Sequence, residues 1–239
     1  MDLIYDLLSA YQWQVALIYM LMVVLLMRAS VYFAFKVPAL QRMREWNREE
    51  DKRKRANPKY PPVMRANSRV GAFISALLIL VVAPSVLTLS SLPWWRYIVD
   101  IVAVLLVYDF IYYFTHRFIF HGDLLRKVHG LHHQARDISH IDSLYVHPLE
   151  TFIGLMIYVV SITLVSVAFS GLHVVAAAFA FVIWSQINTI NHTKFNVDSF
   201  PFKTIDYLTT KHSIHHKNMN MGNYSSITPL FDWMFGTLD

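Results

Sequence analysis

Five long apolar stretches alternate with polar segments along the chain. Because about 20 apolar residues cross the hydrocarbon core of a bilayer, each stretch predicts a transmembrane helix. The predicted spans lie within residues 8–35 and at residues 70–92, 97–115, 149–170 and 173–190. Short connections predict that the second and third spans, and the fourth and fifth, form two hairpins. The pattern therefore predicts an all-α membrane protein with about five transmembrane helices, two hairpins plus an N-terminal span.

The composition agrees with this prediction and narrows the chemistry. Of the 239 residues, 55% are hydrophobic and only 15% are charged, whereas soluble domains have about 25% charged residues. The chain contains no cysteine, which excludes disulfides and thiolate metal sites. Any bound metal ion must therefore be held by nitrogen or oxygen ligands.

Most of the basic residues lie in one segment, residues 36–69, between the first two spans. The positive-inside rule places this segment in the cytoplasm. It is interpreted as a solvated topology determinant, or alternatively as a docking site for an acidic redox partner. Nucleic-acid binding is not expected, because no nucleic-acid-binding fold accompanies the charges. Counting spans from this segment places the later histidine motifs and the end of the chain on the cytoplasmic side, and His173 on the opposite side.

Nine of the twelve histidines fall into four motifs. HxxHH occurs twice, and residues i, i+3 and i+4 share one face of a helix, so the three histidines of each repeat are expected to converge on one point. Imidazole is a common ligand of iron, zinc, copper and nickel. Nine imidazoles are too many for one tetrahedral ion and suit two ions. The motifs are HRFIFH (116–121), HGLHH (129–133), INH ending at His192, and HSIHH (212–216).

The first motif also predicts an irregular helix. His116 and His121 lie about 140° apart on a regular helix, which predicts a break or bulge between them.

Three polar residues near the motifs are candidates for supporting roles. Asp109, two turns before His116 and inside an apolar span, is predicted to orient a ligand imidazole; the alternative is a carboxylate satisfied by a neighbouring helix. Asn188 is a weak ligand, a hydrogen-bond donor or a contact to a neighbouring helix. His147, beside Pro148, is a further ligand, a residue that orients a ligand, or an interfacial residue.

Taken together, HRFIFH, HGLHH, HPLE, NH and HSIHH, followed by NY and FDWMFGT, resemble the fatty acid hydroxylase (sterol desaturase) superfamily of integral-membrane enzymes. The resemblance covers residues 97–239 and defines a fatty acid hydroxylase-like catalytic domain. Residues 1–96 form an N-terminal transmembrane region that carries the basic cytoplasmic loop and no signature. Asn188 stands where some fatty acid hydroxylases have a tenth histidine.

The resemblance implies a non-haem di-iron centre that activates O₂ to hydroxylate or desaturate a lipid such as a sterol, a fatty-acyl lipid or an isoprenoid. Together with the positive-inside rule, this predicts a helical metal-binding cap on the cytoplasmic face. Zinc is expected to replace iron in some purified samples, because imidazole accepts both metals. The sequence has no GxGxxG and no HPGG segment, so electrons are expected from a separate donor protein. The implied metal ligands are His116, His121, His129, His132, His133, His192, His212, His215 and His216.

Two other functions remain open from the sequence. The first is a membrane metal transporter or metal-binding protein, which would place its ligands near the middle of the bilayer, often between inverted repeats. The second is a family member with metal-dependent lyase chemistry. For the lipid enzyme, the expected location is a bacterial inner membrane or the endoplasmic reticulum, and the lipid substrate is expected to come from the bilayer.

Overall fold

The chain folds into a bundle of long helices with shorter helices at one end, as shown by a computed structural model that describes residues 11–239. Residues 8–10 of the first predicted span lie outside the described residues. The predicted all-α membrane class is confirmed. In chain order the helices are α1 (Trp13–Lys36), α2 (Pro38–Ala56), α3 (Tyr60–Leu77), a π-helical segment (Leu78–Val82), α4 (Ala83–Val86), α5 (Trp94–Phe114), a second π-helical segment (Thr115–Phe120), α6 (Arg126–His132), a 3₁₀ helix (His140–Leu144), α7 (Pro148–Ala168), α8 (Val174–Ile190), α9 (Phe202–Lys217) and α10 (Leu230–Met234).

Four helical stretches are long and apolar enough to cross a bilayer, and they correspond to the first four predicted spans. The fifth predicted span is α8, which has 17 residues and is therefore about 26 Å long. It lies between α1 and α5, and its alanines at 176, 177, 178 and 180 are fully buried. Small side chains allow neighbouring helices to approach closely, so α8 forms the centre of the bundle. The four longer stretches are Trp13–Ala34, Tyr60–Val86, Trp94–Phe120 and Pro148–Ala168.

The second span starts ten residues earlier than predicted, at Tyr60 rather than residue 70. Pro61 and Pro62 fit the first turn of a helix, where backbone N–H groups lack partners anyway, and Asn67 is buried against Leu144, whose carbonyl it binds at 3.0 Å. The helix widens into the π-helical segment just before Pro84, which accommodates a ring that cannot donate a backbone hydrogen bond.

The end of the bundle that carries Arg96 is closed by backbone contacts. Strand β1 (Leu87–Thr88) pairs in parallel with β2 (Leu172–His173), and Arg96 donates hydrogen bonds to the carbonyls of Phe169 and Gly171 at 2.8 and 3.0 Å. Gly171 has φ +129°, a conformation that favours glycine and allows the tight turn between α7 and α8. His173 caps α8 at this end. His192 lies 19 residues further along the chain, and at 1.5 Å per residue the two are about 28 Å apart.

The basic segment is helical, because residues 36–69 contain α2 and the first part of α3. One face of α2 packs onto the rest of the chain, whereas the basic residues of the segment other than Lys54 are exposed. Asn47 in α2 is buried; it donates to the carbonyl of Lys194 at 3.0 Å and accepts from the backbone N–H of Lys194 at 3.0 Å. Lys54 is also buried and forms an ion pair with buried Asp142. Because both partners belong to the histidine-bearing part of the chain, α2 is anchored there by one polar face.

Candidate metal centre

The structure brings all nine predicted histidines together at the end of the bundle opposite Arg96. Eight of them are buried and His212 is half-buried. They form two groups, and within each group the candidate ligand atoms lie within 4.8 Å of one another. The five-histidine group contains His116, His121, His129, His133 and His215, and the four-histidine group contains His132, His192, His212 and His216.

The predicted irregularity between His116 and His121 is confirmed. Residues Thr115–Phe120 form a π-helical turn, and the backbone N–H of His121 donates to the carbonyl of His116, five residues earlier, at 2.9 Å. The wider turn brings the two rings to the same side, with centroids 4.9 Å apart. Gly122 follows directly, and a Cβ there would lie 2.0 Å from the carbonyl oxygen of Phe118, so the exit from the turn requires glycine.

The prediction that each HxxHH repeat converges on one point is wrong. In both repeats the residues at i and i+4 join one group, and the residue at i+3 joins the other. The reason is angular. Relative to residue i, residue i+4 is rotated about 40° to one side and residue i+3 about 60° to the other, and imidazole side chains extend this divergence. Each repeat therefore contributes to both groups and fixes the distance between them.

Seven of the nine histidines have their Nδ1 atom hydrogen-bonded to an oxygen outside the two histidine groups. Six of these oxygens are backbone carbonyls, which can only accept, so these rings carry their proton on Nδ1 and direct an unprotonated Nε2 inward. The pairs are His116 with Tyr224 (2.6 Å), His121 with Met219 (2.7 Å), His132 with Tyr145 (3.2 Å), His192 with Asn188 (2.7 Å), His215 with Gly222 (2.7 Å), His216 with Ala135 (3.1 Å), and His129 with the carboxylate of Glu150 (2.9 Å).

The inward Nε2 atoms lie against one another. His129 Nε2 is 3.0 Å from the Nε2 atoms of both His116 and His133, and His192 Nε2 is 3.0 Å from that of His132. His116, His129, His132 and His192 have their Nδ1 atoms bound to oxygens, and two unprotonated Nε2 atoms cannot form a hydrogen bond. A shared cation in each group would account for the His116–His129 and His132–His192 contacts. Metal–nitrogen bonds of about 2.0–2.1 Å separate neighbouring ligand nitrogens by about 2.9–3.4 Å. The residues therefore fit two metal ions, one in each group.

Burial lowers the pKa of the histidine rings and so keeps them neutral, as metal binding requires. Removal from water lowers the pKa of His129 to about 3, that of His192 to about 3 and that of His121 to about 4. A metal ligand must be a neutral imidazole. At neutral pH these rings are already neutral, so metal binding does not compete with a proton.

Glu150 is the functional residue that sequence analysis missed. It is buried in the first turn of α7, and its Oε1 accepts from Nδ1 of His129 at 2.9 Å. A carboxylate in this position fixes the ring and raises its basicity as a ligand. The signal in the sequence was an acidic residue within an otherwise apolar helix, in the HPLE motif itself.

Asp109 does not contact a histidine, so the prediction that it orients a ligand imidazole directly is wrong. Its two oxygens accept four hydrogen bonds, all at 2.9 Å, from the backbone N–H groups of Ser226, Ile227 and Thr228 and the hydroxyl of Thr228. The span holding Asp109 therefore anchors residues 226–228. The same chain segment carries the Tyr224 carbonyl that binds His116, so any effect of Asp109 on the histidines passes through this loop.

The other two predicted supporting residues have different positions. His147 lies outside both histidine groups; it caps α7 by accepting from the N–H of Leu149, so its predicted role as a ligand or orienting residue is wrong. The side chain of Asn188 donates to Trp184 within α8 at 2.8 Å, and its carbonyl accepts from His192. Asn188 also lines the cavity beside the histidines.

Comparison with known proteins agrees with this arrangement. The sequence profile of the fatty acid hydroxylase family matches residues 101–237. Methylsterol monooxygenase 2-2 of Arabidopsis thaliana is 28% identical over 156 residues, 61% of this chain and 55% of that protein. Methylsterol monooxygenase 1 of Rattus norvegicus is 29% identical over 147 residues, 60% of this chain and 48% of that protein.

A second set of relatives has a different printed activity. The very-long-chain aldehyde decarbonylase CER1 of Arabidopsis thaliana is 27% identical over 160 residues, 63% of this chain. The chain spans about a quarter of the length of that relative and about half the length of the methylsterol monooxygenases. No solved structure matches the chain significantly. The profile match covers more than half of the chain and includes all nine clustered histidines, so this chain belongs to the fatty acid hydroxylase family.

Proposed function

We propose that this chain is an O₂-dependent membrane lipid hydroxylase or desaturase with two histidine-bound iron ions. The observation that carries the proposal is the inward convergence of nine neutral imidazoles as a group of five and a group of four, in a member of the fatty acid hydroxylase family. Imidazole also accepts zinc, so a purified sample can contain zinc without being active.

The residues of this chain hold and orient the proposed centre. The five-histidine group would bind one ion and the four-histidine group the other, and the carbonyl and carboxylate partners on Nδ1 fix the rings. When bound, iron supplies the activation of O₂ that the oxidation of an unactivated C–H bond requires. Hydroxylation consumes O₂, two electrons and two protons, inserts one oxygen into the C–H bond and releases water. A separate donor protein is proposed as the source of the electrons.

The position of the centre favours an enzyme over a metal transporter. His116 lies four residues before Phe120, the end of the third span, and His192 follows α8 by two residues. Arg96 and His173 lie at the far end of the same helices. A transporter would carry ligands near the middle of the bilayer. A centre at the ends of the helices instead suits a lipid that enters from the bilayer, and a sterol, a fatty-acyl lipid or an isoprenoid is the proposed substrate class.

The aldehyde decarbonylase relative favours one further candidate, cleavage of a carbon–carbon bond in a lipid aldehyde. The two candidates differ in mass balance, because hydroxylation adds one oxygen, desaturation removes two hydrogens and decarbonylation removes one carbon. The same histidine centre serves either chemistry. The product therefore has to be identified directly.

Lipid mass spectrometry of cells with and without the gene tests the proposal. We expect lipids that gain one oxygen or lose two hydrogens when the chain is present, and no such change with His132→Ala. His140→Ala is the matched control, because His140 is on the surface beside Asp51. A shortened carbon chain would support the cleavage reaction instead. An unchanged lipid profile, with iron bound and a donor present, would contradict both.

A further inference from the structure

A cavity beside the histidine centre carries hydrogen-bonding groups that are not used within the described residues. The cavity has a volume of about 30 Å³ and is lined by histidines of both groups together with Asn191, Ser225 and Ser226. The side-chain oxygens of Asn191, Ser225 and Ser226 are buried and have no hydrogen-bond partner among the described residues. Buried polar atoms are nearly always paired in folded proteins. Three unpaired oxygens in the wall of one cavity therefore indicate a polar ligand.

The orientation of Asn191 determines what that ligand must offer. Its Nδ2 donates to the backbone carbonyl of Ser226 at 2.8 Å, and a reversed amide would place two acceptors against each other. The Oδ1 atom is therefore fixed as an acceptor. Asn191 is only 5% exposed, so this acceptor needs an O–H or N–H donor from inside the cavity.

The hydroxyl of Ser225 can donate a hydrogen bond to the same ligand, and its backbone is held in place by two carboxylates. Its N–H is held by Asp232 at 2.8 Å, and the next N–H, of Ser226, is held by Asp109 at 2.9 Å. The Ser225 hydroxyl is left free to donate and to accept. A hydroxyl group can donate to Asn191 and accept from Ser225 with a single oxygen atom.

The described side chains that line this cavity offer no charged partner to an ionic head group. No lysine, arginine, aspartate or glutamate is among the described residues that line this cavity. Asn191 and Ser225 also line a neighbouring cavity of about 20 Å³, whose wall includes Lys211 and Asp232. There Lys211 binds the carbonyl of Asp239, and Asp232 binds the backbone of residues 224 and 225. Both charged side chains therefore already have partners within the protein.

We propose that Asn191 and Ser225 form a subsite for the hydroxyl group of a lipid alcohol, and that the oxidised C–H bond lies close to that hydroxyl. The oxidised bond is placed close to the hydroxyl because histidines of both groups line the same cavity. These are His132 and His192 of one group and His116 and His215 of the other. A lipid held there by its oxygen presents its nearest carbons to the centre and keeps its tail away. The inference rests on the proposed function and specifies its substrate.

Competition binding to the full chain in lipid nanodiscs tests the subsite without turnover. The assay compares three unlabelled competitors of radiolabelled stearyl alcohol: stearyl alcohol, octadecane and octadecyl methyl ether. Since one hydrogen bond changes affinity about fivefold, we expect the alcohol to bind at least about tenfold more tightly than the alkane. The methyl ether lacks the O–H donor that Asn191 requires, so it should bind more weakly than the alcohol.

Ser225→Ala removes one partner with little change in volume, and it should lower the preference for the alcohol about fivefold. Ser161→Ala is the matched control, because Ser161 also has a buried hydroxyl, but that hydroxyl donates to the carbonyl of Ile157 in its own helix. Equal binding of alcohol and alkane would overturn the proposal and leave water as the occupant. A preference that Ser225→Ala does not change would also overturn it.

The outcome is separable from that of the proposed function. An iron-free, inactive protein that still prefers the alcohol would contradict the proposed function alone. An active enzyme without that preference would contradict the subsite alone.

Discussion

Replacing Asp109 with asparagine tests whether the loop at residues 226–228 positions the metal ligands. The carboxylate accepts four hydrogen bonds, two on each oxygen. In Asp109→Asn one oxygen becomes an NH₂ group that faces donors, so up to two of the four bonds are lost. Hydrogen bonds to a charged acceptor contribute about 1.5–3 kcal/mol each, so the anchoring of the loop weakens by about 3 kcal/mol or more.

The loss of these hydrogen bonds affects the metal centre through the backbone between residue 228 and Tyr224. Residues 226–228 continue from Tyr224, whose carbonyl binds Nδ1 of His116 at 2.6 Å. A loosened loop releases that ring, and the loss of a group that orients a ligand lowers metal affinity or activity about 10–100-fold. We expect Asp109→Asn to insert into the membrane and to lose iron to a chelator faster than the wild type.

The assay is the iron content per folded molecule after dialysis against a graded chelator, with thermal unfolding measured in parallel. Asp100→Asn is the matched control, because Asp100 is a buried carboxylate in the same helix that pairs with Arg96 at the opposite end. It should lower stability without changing iron retention. If Asp109→Asn and Asp100→Asn lose stability equally and retain iron equally, Asp109 acts on the fold alone and the reasoning fails.

Three further predictions address single contacts and topology. Glu150→Gln keeps an acceptor for His129 but removes the charge, so turnover and iron affinity should fall about 10-fold or more; unchanged values by iron titration would contradict the role of the carboxylate. His132→Ala and His215→Ala each remove one proposed ligand from a different group, so both should abolish product and lower metal content, whereas His173→Ala at the far end of α8 should keep near-normal activity in the same lipid assay. A reporter fused after Asp239 should be active in the cytoplasm, and activity only on the external side would reverse the proposed orientation.

Local geometry explains which features the sequence predicted. Helix spacing alone showed that His116 and His121 cannot face one point from a regular helix, and the π-helical turn confirms it. The same spacing failed for the HxxHH repeats. A difference of about 100° between His132 and His133 is small at the backbone but is enough, at the ends of two imidazoles, to separate them into different groups.

Contacts between distant parts of the chain explain what the sequence did not predict. The carbonyls that bind the histidines are backbone atoms, so no residue type marks them in advance. Lys54 resembles the solvated basic residues around it, yet it is buried against Asp142, 88 residues away. The division of the chain at residue 96 stays a prediction, and the packing of α2 on the histidine-bearing part indicates that the two regions fold together.

Anomalous scattering at the iron absorption edge, from crystals of active enzyme, tests the central claim most directly. The account predicts two iron peaks of equal strength, one surrounded by His116, His121, His129, His133 and His215, and the other by His132, His192, His212 and His216. A single peak, or active enzyme without iron at either group, would contradict the proposed di-iron centre.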